Sequence, residues 1–193
     1  SGDYCRIHRV AADNYCEVQK RISMMTHPQG VLGIFPSFGP GLTGGIETSA
    51  EVAWQAVERF ADARNDAAHL LCYGRSPDRA DLFRNTRFRS SKAGAFRAAC
   101  TTPVRPKTIL VWHLGLLKLI PPLLRFRPQI LLFLHGIEAW RRQDVLTRFL
   151  LRYVDTFLSN STYTWERFLR YEPHLTQRPH IVLPLGLGTQ SDT

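Results

Sequence analysis

The stretch VLGIFPSFGPGLTGGIETSAEVAWQAVERF, residues 31–60, decides the fold. Val31 to Phe35 is a short apolar run of the kind that forms a strand buried on both faces. A loop rich in glycine and proline follows, from Pro36 to Gly45. From about Ile46 to Arg64 the spacing becomes helical, with Ile46, Ala50, Ala53, Val57 and Phe60 on one stripe. Strand, glycine turn and helix together open a parallel α/β unit, and the turn is where such units meet anions.

Gly39, Gly41 and Gly44 satisfy G-x-G-x-x-G, which raises an NADP-dependent oxidoreductase as one reading, with Arg75 facing a 2′-phosphate. The details run against it. Three residues separate the strand from Gly39, Pro40 removes a backbone N–H, and the second strand ends Cys72-Tyr73-Gly74-Arg75 without an acid for the ribose. No G-x-x-x-x-G-K-[ST] is present either. The better-placed pair is Gly44-Gly45, directly against the helix start, where two residues without Cβ let backbone N–H groups approach an anion. On the glycines alone, an anion site and a tight empty connection stand equal.

The rest of the chain repeats the opening theme. AHLLCYG (68–74), TILVW (108–112), QILLFLHG (129–136), DTFLSNS (155–161) and HIVLPLGLG (180–188) read as further strands. DVLTRFLLRYV (144–154) and TYTWERFLRYE (162–172) read as helices, and the segment 116–124 as a short amphipathic helix. Strands alternating with helices predict an α/β domain: a Rossmann-like parallel sheet with helices on both faces, over residues 30–193. Residues 1–29 read as a polar extension, with Met24 and Met25 marking a candidate natural start.

The formal charge is +9, and 21 of the 25 cationic residues are arginine, so anionic partners suit the chain. The excess concentrates in Arg75–Lys107, where nine cations face only Asp78 and Asp81 and little periodicity is visible. That stretch reads as a solvated arginine-rich loop, or as a face for an anionic membrane surface. A nucleic-acid-binding module is a third reading and ranks last, because aromatic interleaving is sparse and no recognised fold motif accompanies the charge. Cys5, Cys16, Cys72 and Cys100 are scattered, without metal-ligand spacing, as idle thiols in a reducing compartment would be. No apolar run reaches the roughly 20 residues that span a bilayer.

Five motifs occur in one order: GGIE at residues 44–47, HG at His135-Gly136, IEAW at 137–140, VDTFLSNSTYT at 154–164 and HIVLPLGLG at 180–188. The series resembles the N-terminal half of the family-4 retaining glycosyltransferases, which have the GT-B fold. The resemblance covers about residues 30–189. It implies that Gly44 and Gly45 lie near the donor diphosphate, that His135 acts at the donor sugar, and that Ser161 borders the same cleft. Glu138 then either binds an acceptor hydroxyl or caps the helix that follows, and His113, which also ends an apolar strand, is a further substrate-binding candidate. By residue chemistry alone His135 fits equally a histidine at the core edge satisfied by backbone.

In that family a second domain holds the nucleotide through two glutamates spaced E-x7-E. Glu51 and Glu58 are one residue too close and lie in the first helix, and the sequence ends soon after LPLGLG. The expectation is therefore an acceptor-side domain, inactive without a donor-binding partner domain. The resemblance implies a nucleotide-sugar as co-substrate, no metal and no separate cofactor, and a saccharide, lipid-linked or other acceptor. The expected location is the cytoplasm, with peripheral contact at the inner membrane face.

Overall fold

The computed structural model describes residues 29–37, 45–74 and 86–184. Gly39, Gly41, Gly44, Arg75 and the turn Gly186–Gly188 lie outside the described residues, as do the N-terminal stretch 1–28 and Met24. The described elements are β1 (Gln29–Pro36), α1 (Gly45–Ala63), β2 (Ala67–Tyr73), β3 (Thr86–Arg89), α2 (Lys92–Cys100) and β4 (Arg105–Val111). Two 3-10 segments, Leu114–Leu119 and Pro121–Phe126, lead to β5 (Gln129–Leu134). Then come α3 (Val145–Leu150), β6 (Thr156–Ser159), α4 (Thr162–Leu169) and β7 (His180–Val182).

All seven strands form one parallel sheet in the order β3-β2-β1-β4-β5-β6-β7. The chain order reverses between β1 and β4, where Ile34 stands in register with Leu71 on one side and Val111 on the other. In open sheets of this kind the crevice for ligands opens beyond the carboxyl ends of the strands at that reversal.

Alternation along each strand divides the core in two. Leu32, Ile34, Ile109, Val111, Leu132 and Leu134 face the layer made by α2, the 3-10 segments, α3 and α4. Phe35, Leu70, Cys72, Leu110, Trp112 and Phe133 face α1, which contributes Ala50 and Trp54. This is why the strand sequences read as continuous apolar runs: both faces are covered. Cys72 sits wholly in the second core, and burial pushes its thiol well above the usual range, so it is inert in the sense the sequence suggested.

Two segments differ from their sequence reading. The basic stretch holds an ordered strand and helix. In TRFR, Phe88 packs against the α1-side core while Arg87 donates to the Thr101 carbonyl at 3.2 Å, so β3 is an edge strand whose cations blunt the open edge. Ser91 then caps α2 by accepting from the Gly94 N–H at 3.1 Å. The expected amphipathic helix at 116–124 is instead two 3-10 pieces. Pro121-Pro122 supply no N–H groups for an α ladder, and Arg127, at a φ of 52°, ends the second piece. Leu114, Leu116, Leu117 and Leu119 are all buried, so tertiary packing holds the irregular backbone.

Candidate functional site

Four strands deliver chemistry to the carboxyl edge. β1 ends at Phe35-Pro36-Ser37, β4 at Trp112-His113, β5 at His135-Gly136 and β6 at Ser159-Asn160-Ser161. An aromatic row lies beneath this edge on the α1 side. Trp54 meets Phe35 edge-on at 5.7 Å, Phe35 stacks on Trp112 at 5.2 Å and 7°, and Trp112 meets Phe133 at 4.4 Å. His135 closes the row, 4.5 Å from Phe133 and 5.0 Å from Trp112 between ring centroids.

His135 is 9% exposed and held from several sides. Its Nε2 lies 2.6 Å from the Trp112 carbonyl oxygen. A carbonyl only accepts, so Nε2 carries a proton. The His135 backbone N–H donates to Glu138 Oε1 at 2.6 Å, and its carbonyl accepts from Asn160 Nδ2 at 2.6 Å. Gly136, with a φ of 150°, begins the turn that brings Glu138 back; a Cβ there would be strained by that backbone conformation. Glu138 thus fixes this turn rather than capping a helix, since α3 begins only at Val145 and is capped by Asp144.

Ser161 caps α4, accepting from the Thr164 N–H at 3.2 Å. Asn160 links it to His135: its Oδ1 accepts from Thr164 Oγ1 at 2.8 Å while its Nδ2 holds the His135 carbonyl. His113 Nδ1 accepts from the Gly115 N–H at 3.0 Å and so caps the first 3-10 segment. Gly45 opens α1, and a Cβ added to it would meet nothing within 4 Å. The helix start reaches the histidine through Trp112, whose indole N–H points at the Ile46 carbonyl at 3.4 Å, a long and weak hydrogen bond.

His135, Glu138, His113, Ser161 and Gly45 therefore come to one edge, around the reversal point. Gly44, the other half of the glycine pair, falls outside the described residues. Sequence reasoning missed Trp112 and Asn160. Trp112 joins the helix start to His135 but lies 66 and 23 residues from those partners, so no local signal marks it. Asn160 reads in sequence as part of a glycosylation sequon, whereas its amide is engaged inside the edge.

Beside this edge opens a cavity of about 890 Å³, onto which Ser37, Ile46 and His113 face. Among the described residues no three His, Cys, Asp or Glu side chains gather as metal ligands, and no helix is long and apolar enough to cross a membrane.

No protein-family model matches the chain, and no curated protein matches it. Its fold is similar to that in the crystal structure of Anabaena Alr3699/HepE in complex with UDP, with a TM-score of 0.56 at 13% identity, over 82% of this chain and 44% of that one. A crystal structure of the same protein with UDP and glucose gives a TM-score of 0.46 at 14% identity, over 83% of this chain and 45% of that one. The chain thus spans less than half the length of the protein whose fold it shares.

Proposed function

We propose that the chain is the acceptor-side, N-terminal domain of a retaining glycosyltransferase of GT-B architecture, transferring a sugar from a nucleotide-activated donor. The observation that supports this most is the junction beside the strand-order reversal: the first turn of α1 at Ile46, Trp112 and His135 form one connected cluster. The likeness in fold to a protein crystallised with UDP agrees with a nucleotide-sugar donor.

In this reading Gly44 and Gly45 receive the donor diphosphate, where the N-terminus of α1 adds its partial positive charge. His135 acts at the donor sugar, its ring anchored through Nε2 on the Trp112 carbonyl. Glu138, Asn160 and Ser161 keep that ring in place, and a ring held in one orientation loses no freedom as the transition state forms. His113 and Ser37 face the side from which an acceptor enters. The nucleotide is the work of a second domain, so this domain alone binds without turning over. No metal and no separate cofactor enter the reaction.

The test is sugar transfer by the complete protein from its native locus, in wild-type form and as His135→Ala. The substitution leaves the Trp112 carbonyl without its donor, so it costs about 1–3 kcal/mol of stability as well. Assayed where both forms are folded, turnover should fall by about 100-fold or more. A loss of activity that only tracks the loss of folded protein would reduce His135 to a structural role.

A further inference from the structure

The 890 Å³ cavity has a composition of its own. Tyr73, Phe96, Leu116 and Leu119 give it apolar walls, and Lys92 and Lys118 stand among them. No acidic side chain is among its described lining residues. Lys92 is exposed and makes no ion pair among the described residues, whereas Lys118 Nζ is bound to Asp144 Oδ2 at 2.9 Å. Oily walls with an ammonium that no described acid pairs fit a molecule that is apolar along its length and anionic at one end.

The surface next to the cavity says how such a molecule arrives. Asp144 caps α3, so the Lys118–Asp144 pair joins the cavity lining to the first turn of that helix. Along that helix Val145 is 85% exposed, Leu146 50% and Phe149 48%. Arg141, Arg142 and Arg152 are exposed around them, with the Arg152 guanidinium 6.0 Å from the centre of the Phe149 ring. Exposed apolar side chains with arginines on and next to the same short helix are what an interfacial surface presents to anionic lipid. A second copy of the chain is a poor occupant, because a symmetric contact would set arginine against arginine.

We propose that the cavity binds an anionic amphiphile drawn from a bilayer, and that the exposed face of α3 rests on that bilayer beside the cavity. Naming the bound molecule as the sugar acceptor rests on the glycosyltransferase reading; the binding itself does not.

Decyl phosphate, titrated calorimetrically below its micelle concentration, tests the cavity, with decanol and inorganic phosphate as the half-molecules. Decyl phosphate should bind at least about 10-fold more tightly than either. Ala93→Trp, placed on an exposed turn of α2 that lines the cavity, should fill it and weaken binding about 10-fold or more, and Lys92→Glu about 3- to 10-fold. Val145→Ser with Leu146→Ser should leave that titration unchanged while cutting cosedimentation with phosphatidylglycerol vesicles several-fold. Phosphatidylcholine vesicles should bind weakly throughout. Decanol or phosphate binding as well as decyl phosphate, or a folded Ala93→Trp that binds normally, would overturn the cavity assignment. Equal binding to both vesicle types would overturn the membrane contact. Transfer to a water-soluble acceptor without decyl phosphate binding would sink this inference alone. Decyl phosphate binding without any sugar transfer by the complete protein would sink only the enzymatic reading.

Discussion

The two halves of the carboxyl edge are built differently. At the ends of β5 and β6, nearly every polar group is committed: the His135 backbone to Glu138 and Asn160, its ring to Trp112, Ser161 to α4, and Ser159 Oγ to the Ser161 carbonyl. At the ends of β1 and β2 the described residues border the 890 Å³ cavity, which runs past Ser37 and Tyr73, and a Cβ at Gly45 would meet none of them within 4 Å. One half is a platform with its geometry set in advance. The other half is where a ligand can enter. Trp112 belongs to both, and the division predicts how each half responds to substitution.

Trp112→Ala should have the largest effect. The side chain is 4% exposed, stacks on Phe35, packs at a tilt against Phe133, and supports the His135 ring. Its truncation should cost about 3–5 kcal/mol in urea denaturation, a large fraction of the stability of an ordinary domain. A cost below about 1 kcal/mol would mean that the two halves are not joined through this residue.

The sheet and the outline of this edge were legible in the sequence because both rest on short-range signals. Strands buried on both faces show as unbroken apolar runs, and site residues at strand ends show as the first polar residue after the run, as at His113 and His135, or just beyond it, as at Ser161. What escaped depends on partners far along the chain. Thr86–Arg89 became a strand because β2 offered it an edge, and its arginines hid the alternation of Thr86 and Phe88. The leucines at 114–119 were legible as buried, but the backbone that buries them was decided by Pro121-Pro122 and by packing. The roles of Trp112 and Asn160 exist only once three strands stand side by side.

Gly33→Ala probes the packing beneath the open half. A Cβ at Gly33 would lie 2.5 Å from a ring carbon of Trp54 and 2.8 Å from Phe35, so α1 would have to lift from β1. Overpacking of this kind should cost about 1–3 kcal/mol, read as a lowered urea midpoint at unchanged slope.

The committed half should also carry a pH signature. His180 stacks on Trp165 at 4.2 Å and 8°, its Nε2 lies 2.8 Å from Ser159 Oγ, and burial lowers its pKa below the ordinary value. A histidine with a lowered folded pKa contributes stability that is fully present above the unfolded value, about 6.5, and is lost as pH falls from there toward the folded value. Thermal melts between pH 7.5 and 5 should therefore show a modest decline. His180→Phe, which keeps the stacking, should flatten it. His69, lowered first by burial and then by Arg87, pulls in the same direction and should leave a residual slope. An identical slope in the variant would remove His180 from the account.

The smallest effect on stability should come from Gly45→Ala, and it is the most informative about function. Gly33 and Gly45 stand in the same opening stretch, yet one is a glycine because protein presses on it and the other meets nothing within 4 Å. At Gly45 alanine favours the helix and narrows the unfolded ensemble, so the fold should gain about 0.5 kcal/mol. Packing therefore gives no reason for glycine here. A reason remains if the space is kept for a ligand whose oxygens approach the backbone N–H groups. In the complete protein, Gly45→Ala should then weaken nucleotide-sugar binding about 10-fold by calorimetry while the melting temperature holds or rises, and Gly45→Val should weaken it further. Unchanged affinity in both variants would make the glycine a plain strand-to-helix turn and would move the donor away from the open half of the edge.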